Sequence, residues 1–256
     1  ITENGTGLRH DWNVPNFPSS NCLAKIEQKG LPEISEYPAQ PIPLDGLLAY
    51  YPFCNGAEDK SGNDNDGDTT GTSPIEDRFD QYNSAIYFDG VDDEIRVENK
   101  GNFNLTEWTF ACWVNIHTVP KNFTAIIQKD ENSQQHYNYA LIVDKERRIR
   151  AQYETCTQEN DHRIASSQKT PYEWIHVANV RDNSTGDFIL YIDGIEEKRL
   201  NSDDVPCINP DDLRIGVMTY KDNPRSPEYF NGAVDDMFIY DRPLDADEIL
   251  QLFNAG

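Results

Sequence analysis

The chain has 256 residues, with 45 Asp and Glu against 22 Lys and Arg and a formal charge of −23 at pH 7. A field of that sign repels nucleic-acid phosphates and anionic lipid, which argues against both as partners, and no run of 18 apolar residues is present to span a bilayer. Hydrophobic content is 37%, but four Trp, 13 Tyr and 11 Phe supply large buried areas, so the composition is globular. A chain of this length forms one large all-β domain or two small ones. The acidity itself has two readings: attraction of cations, with carboxylate oxygens suited to calcium, or solubility in a salty environment that screens the charge.

Residues 1–46 form the first segment. They hold Pro15, Pro18, Pro32, Pro38, Pro41 and Pro43 and show little periodicity. Each proline removes a ladder donor and restricts the residue before it, so the segment reads as an irregular arm or linker. Its start, ITENGTGLRH, has no apolar signal core, as expected of a processed chain.

From Leu47 to the C-terminus, short apolar and aromatic runs alternate with turn signals. They include LLAYYPF, SAIYFDG, EIRVEN, TFACWVNI, TAIIQK, YALIVD, RIRAQYE, WIHVANVRD, DFILYIDG, DLRIGVM and GAVDDMFIY. The breakers NDG at 65–67, STG at 184–186 and DG at 193–194 suit turns with positive φ. About a dozen strands at such spacing, without an intervening helical stripe, predict an all-β sandwich over residues 47–256. One helix closes the chain: in RPLDADEILQLF, Asp245 is the N-cap, Glu248 completes a capping box, and Leu244 and Ile249 form a hydrophobic staple.

The five cysteines contain no CxxC pair, which disfavours zinc and redox chemistry. Cys112 alternates with Phe110, Val114 and Ile116 and reads as an inert buried thiol. The other four lie in polar or Pro-flanked stretches, and the expected pairs are Cys22–Cys54, tying the arm to the first strand, and Cys156–Cys207, clamping two loops. These pairs imply an oxidising compartment, hence secretion or surface display. Sequons begin at Asn4, Asn104, Asn122 and Asn183.

Four ordered stretches carry a resemblance. LLAYYPFCNGAEDKSGNDNDG, SAIYFDGVDDEIRV, WIHVANVRDNSTGDFILYIDGI and FNGAVDDMFIYDRPLDADEI together resemble the laminin-G-like domains of the concanavalin A-like lectin/glucanase superfamily. They span residues 47–253. The resemblance implies a two-sheet antiparallel jelly roll with a short C-terminal helix. It also implies a structural calcium where the first and last strands meet, with Asp235 on the last strand and Asp59 and Asp89 as neighbouring ligands. The alternative is that these carboxylates cap turns.

Enzymes of that superfamily carry Glu-x-Asp-x-Glu on one strand. Here Glu94-Ile-Arg-Val-Glu98 places Arg96 at the central position, which holds both carboxylates ionised and opposes the raised-pKa acid that a retaining glycosidase needs. With no GxSxG or HExxH motif either, the chain reads as a non-enzyme. His176 reads as a packed, hydrogen-bonded strand residue rather than a metal ligand. Trp108, Trp113 and Trp174 read as core.

Lectin-like sandwiches bind sugar on an aromatic platform flanked by polar groups. Tyr137, Tyr139, Arg150, Tyr153 and His162 are the expected platform, unless their rings pack in the core. The leading expectation is non-catalytic binding of an extracellular glycan or glycoprotein. The alternatives are a structural protein–protein module of a larger surface assembly and a divergent polysaccharide-cleaving enzyme.

Overall fold

The computed structural model describes residues 42–54, 56–129, 139–156, 162–219 and 227–255. The predicted arm therefore lies almost wholly outside the described residues, as do Cys22 and Tyr137. In chain order the first strands are β1 (Leu47–Tyr51), β2 (Gly67–Thr70), β3 (Ser73–Ile75), β4 (Ala85–Asp89), β5 (Glu94–Val97) and β6 (Trp108–Ile116). Then come β7 (Phe123–Lys129), β8 (Tyr139–Asp144), β9 (Ile149–Tyr153), β10 (His162–Ala165), β11 (Ile175–Arg181) and β12 (Asp187–Ile192). The last are β13 (Ile195–Asn201), β14 (Leu213–Ile215), β15 (Val217–Met218), β16 (Glu228–Tyr229), β17 (Asn231–Tyr240) and the helix α1 (Ala246–Asn254).

Two antiparallel sheets face each other. The first has the order β13-β12-β11-β6-β17-β4-β3, with β1 pairing β17; the second runs β10-β9-β8-β7-β14-β5-β2. Alternation along each strand fills the space between them. On β6, Trp108, Phe110, Cys112, Val114 and Ile116 enter the same core as Leu141 and Val143 of β8 and Ile149 and Ala151 of β9. This is the sandwich that the strand spacing predicts, in the jelly-roll form that the resemblance implies.

The outer face of the first sheet has its own apolar layer. Ala111, Ala178, Val180, Ile189, Tyr191, Phe238 and Tyr240 pack against Leu244, Ile249 and Leu252. Helix α1 lies over this layer because its start is fixed: the Asp245 side chain accepts from Glu248 N, and the Glu248 side chain accepts from Asp245 N. Arg242 holds the Glu248 carboxylate at 2.9 and 2.6 Å.

Cys156 and Cys207 are disulfide-bonded, 51 residues apart in sequence, beside an isolated bridge between Thr155 and Pro206. Cys54 is also disulfide-bonded. Cys112 is free and buried, and burial raises its thiol pKa far above the ordinary range, as expected of an inert thiol.

Candidate functional site: an aromatic end held by Arg147

The turn joining β8 and β9 is one of the places where the backbone departs from what its sequence favours. Asp144 caps it, its Oδ1 accepting from Glu146 N at 2.8 Å and Arg148 N at 3.0 Å. Arg147 then takes φ of 64°, a left-handed position that hairpins of this kind usually give to glycine. A side chain there costs roughly 1–2 kcal/mol. The compensation lies in the contacts of that side chain.

The Arg147 guanidinium is buried. Its Nε donates to Thr170 O at 2.9 Å, and its Nη2 donates to both Ile116 O at 2.6 Å and Pro171 O at 2.5 Å. Its backbone carbonyl takes the Thr170 N–H and hydroxyl at 2.9 and 3.0 Å. One residue therefore ties together three chain segments, the end of β6, the turn itself and the segment leading into β11. Two carbonyls on one nitrogen also fix a distance: the backbone before His117 and the backbone before Tyr172 lie within about 5 Å of each other.

The rings that follow those carbonyls face solvent. Tyr172 is 75% exposed, yet its ring centre sits 3.4 Å from the Arg147 guanidinium carbon, so one face is fixed and the other is open. His117 is exposed, and its ring lies 5.4 Å from that of Tyr87 on β4. Partial burial, then the neighbouring Arg147 charge, lowers the His117 pKa, so the imidazole is neutral at pH 7. The arrangement offers flat apolar faces with polar edges at one end of the sandwich.

Among the described residues, which exclude Tyr137, the platform expected from the sequence is not assembled. Tyr139 is fully buried, 5.2 Å from Trp108 and 4.6 Å from Phe110, with its hydroxyl on Phe103 O. Tyr153 is fully buried beside Phe188 at 4.9 Å, and His162 stacks on it at 4.6 Å while bonding Asp204 at 2.9 Å. These rings are core and core margin. Arg150 lies on the opposite face of the same sheet, paired with Asp144 at 2.9 Å and 5.1 Å from the Phe123 ring. Arg150 and Tyr153 are three positions apart, and an odd spacing along a strand sends side chains to opposite faces.

The expected calcium ligands are likewise in three separate settings. Asp59 closes its own loop, accepting from Tyr50 N, Ser61 N, Ser61 Oγ and Asn65 N at 2.8–3.0 Å. Asp89 lies in the β4–β5 turn with Asp92 and Asp93, one oxygen from each lying within 4.8 Å of the others. Asp235 pairs with Arg78. On β17, Asn231 is registered with Asp89, which puts Asp235 four residues and about 13 Å further along the strand. The set Asp59, Asp89 and Asp235 thus holds no common ion.

Glu94 bonds Arg214 at 2.7 Å, and Arg96 bonds Asp212, so this strand is charge-paired. His176 is packed against Trp113 and Phe253 as expected, but its buried Nδ1 has no hydrogen-bond partner among the described residues, which departs from the hydrogen-bonded ring expected. Trp108 is core; Trp113 and Trp174 are only half-buried. A cleft of about 230 Å³ between the sheet edges is lined by Phe53, Gly56, Thr69, Thr72, Pro74 and Ile86. It offers no open ring face, since Phe53 is 1% exposed.

The fold and its exposed aromatic end define a lectin-like sandwich domain. The chain belongs to the concanavalin A-like lectin/glucanases superfamily, whose laminin-G model matches residues 88–250. No curated protein sequence matches it. Among solved structures it is similar to domain 4 of AbnA, a GH43 extracellular arabinanase from Geobacillus stearothermophilus, in complex with arabinotriose. That match has TM-score 0.64 and 19% identity, covering 80% of this chain and 97% of that one. It is also similar to the binding domain of Paraclostridial Mosquitocidal Protein 1, with TM-score 0.65 and 17% identity over 83% of this chain and 52% of that one. A third is the binding domain of botulinum neurotoxin DC in complex with SialylT, with TM-score 0.61 and 15% identity over 83% and 52%. The chain therefore spans about half the length of the toxin domains. At these identities the likeness is one of fold.

Proposed function

We propose that this domain binds an extracellular carbohydrate or glycoprotein without acting on it, through the end built on Arg147. The carrying observation is Tyr172, a ring three-quarters exposed but immobilised from beneath by a buried guanidinium. A pyranose has an apolar face that stacks on such a ring, and an aromatic already held in place loses little entropy on binding. His117 and Tyr87 extend the surface and supply hydrogen-bonding edges. Solved relatives in complex with arabinotriose and with SialylT support the ligand class. The disulfide supports an extracellular setting. The charge-paired state of Glu94 supports binding over catalysis. Calcium enters this reading as a structural ion at the Asp89 turn, where Asp92 and Asp93 are what supports it.

A glycan array probed with the wild-type domain and with Tyr172→Ala tests the reading. Binding by the wild type that the variant loses supports it. Binding retained by Tyr172→Ala moves the site elsewhere. An array without signal, together with a co-purifying protein partner, favours the structural-module alternative.

A further inference from the structure

The place where the first and last strands meet is occupied by an arginine. In β17 the register shifts between Asp235 and Phe238, and Asp236 takes φ of 43°. In a regular strand Asp235 and Asp236 point to opposite faces; the bulge turns both carboxylates to one side. Arg78, from the loop between β3 and β4, fills the space before them. Its Nη1 bonds Asp235 and its Nη2 bonds Asp236 at 2.8 Å. The second Asp236 oxygen takes the Tyr50 hydroxyl of β1 at 2.7 Å.

The guanidinium is enclosed. Its side chain is 6% exposed, Asp235 is 3% exposed, and the rings of Phe79 and Trp113 lie 4.6 and 4.7 Å from the guanidinium carbon. The two carboxylates on this cation, one of them oriented by the Tyr50 hydroxyl, are hard oxygen donors of the kind a divalent ion takes. Asp235 is buried and Asp236 is partly so, at 21% exposure, and a buried carboxylate needs a cation, since unpaired buried charge is strongly unfavourable.

We infer that Arg78 is a built-in cation at this position: its guanidinium stands between the first and last strands where a metal ion would sit, so that closure there needs no metal. Removing its charge turns the Asp235–Asp236 pair into a divalent-cation site. Arg78→Lys keeps the charge and leaves the pair closed to metal.

Terbium is the probe, because Trp113 beside the guanidinium sensitises its emission. Arg78→Ser is expected to show tryptophan-excited terbium emission at least tenfold above wild type. The gain disappears in Arg78→Ser/Asp235→Asn, and Arg78→Lys stays at the wild-type level. Calcium then raises the Tm of Arg78→Ser by more than it raises that of the wild type. Emission from Arg78→Ser equal to wild type overturns the inference. So does wild-type emission that Asp235→Asn abolishes, because metal and arginine would then share the site. Should Arg78→Ser be unfolded without metal, recovery of its near-UV dichroism in ~10 mM calcium, above the range of extracellular calcium modules, supports the inference, and failure to recover counts against it.

Discussion

The open face of Tyr172 and the buried guanidinium of Arg147 are two sides of one contact, 3.4 Å from ring centre to guanidinium carbon. Replacing the ring removes the stacking surface but leaves the Arg147 hydrogen bonds to Ile116, Thr170 and Pro171 in place. Tyr172→Ala is expected to change unfolding free energy by less than about 1 kcal/mol, the size of a surface cation–π contact. It is expected to weaken ligand binding ten- to hundredfold, as for a hot-spot aromatic worth ~1.4–3 kcal/mol. Isothermal titration with the glycan found on the array, beside a denaturant titration, reads both quantities. Large destabilisation with binding intact counts against the site.

Arg147→Gly sets two effects against each other. Glycine relieves the left-handed backbone position, a gain of roughly 1 kcal/mol. It also leaves the carbonyls of Ile116, Thr170 and Pro171 without their charged donor, and such bonds contribute ~1.5–3 kcal/mol each. The loss wins: three bonds at that rate, less the backbone gain, give a net destabilisation of at least ~3 kcal/mol, with loss of binding because Tyr172 is no longer held. If urea denaturation shows Arg147→Gly to be the more stable protein, the guanidinium is not what maintains the strained turn.

The Cys156–Cys207 bond closes a loop of 51 residues. Loop-closure entropy for that length is worth ~4 kcal/mol in the unfolded chain, and measured effects run about 2–4 kcal/mol. Cys156→Ser/Cys207→Ser is therefore expected to melt about 5–15 °C lower, taking ~2–4 °C per kcal/mol for a domain of this size. Both residues flank the bridge to Pro206, so the hairpin of β9 and β10 should lose hydrogen-exchange protection first.

The sandwich was legible wherever an apolar period and a turn signal coincided. TFACWVNI alternates into the core along β6, and Asp245 with Glu248 marks the start of α1. Cys112, Cys156 and Cys207 could be sorted by their surroundings alone. Tyr139 was harder, because YALIVD is apolar on both faces and its period does not say which one meets the opposite sheet. The spacing of Arg150 and Tyr153 already placed them on opposite faces, and that signal was available in the sequence.

The sites were less legible, because each is made by contacts between distant residues. Arg78 meets Asp235 across 157 positions, and the bulge that aims Asp236 at it has no glycine to mark it. Arg147 gives one faint sign: the turn DKERR offers neither Gly nor Asn where a left-handed residue is needed. A residue that takes such a position against its preference points to a side chain with partners to satisfy.

Acid stability provides the last prediction. His176 is buried against Trp113 and Phe253, and burial, then the Arg78 charge, lowers its pKa from the ordinary 6.5 to about 3. The unfolded chain therefore binds a proton at this residue over roughly pH 6.5 down to 3 while the folded chain does not. The stability associated with the neutral imidazole is complete above pH 6.5 and declines as pH falls, at up to ~1.4 kcal/mol per pH unit. Asp235 acts in the opposite sense, since burial and Asp236 raise its pKa and protonation favours the folded state. Both proteins of a wild-type and His176→Phe pair contain Asp235, so its effect cancels in the difference between them. His176→Phe keeps a ring against Trp113 and Phe253 and removes the titrating group. The wild type should lose stability relative to the variant as pH drops from 7, with the gap reaching ~3 kcal/mol near pH 4. Parallel pH–stability curves for the two proteins would mean that His176 takes up its proton in the folded state as readily as in the unfolded one.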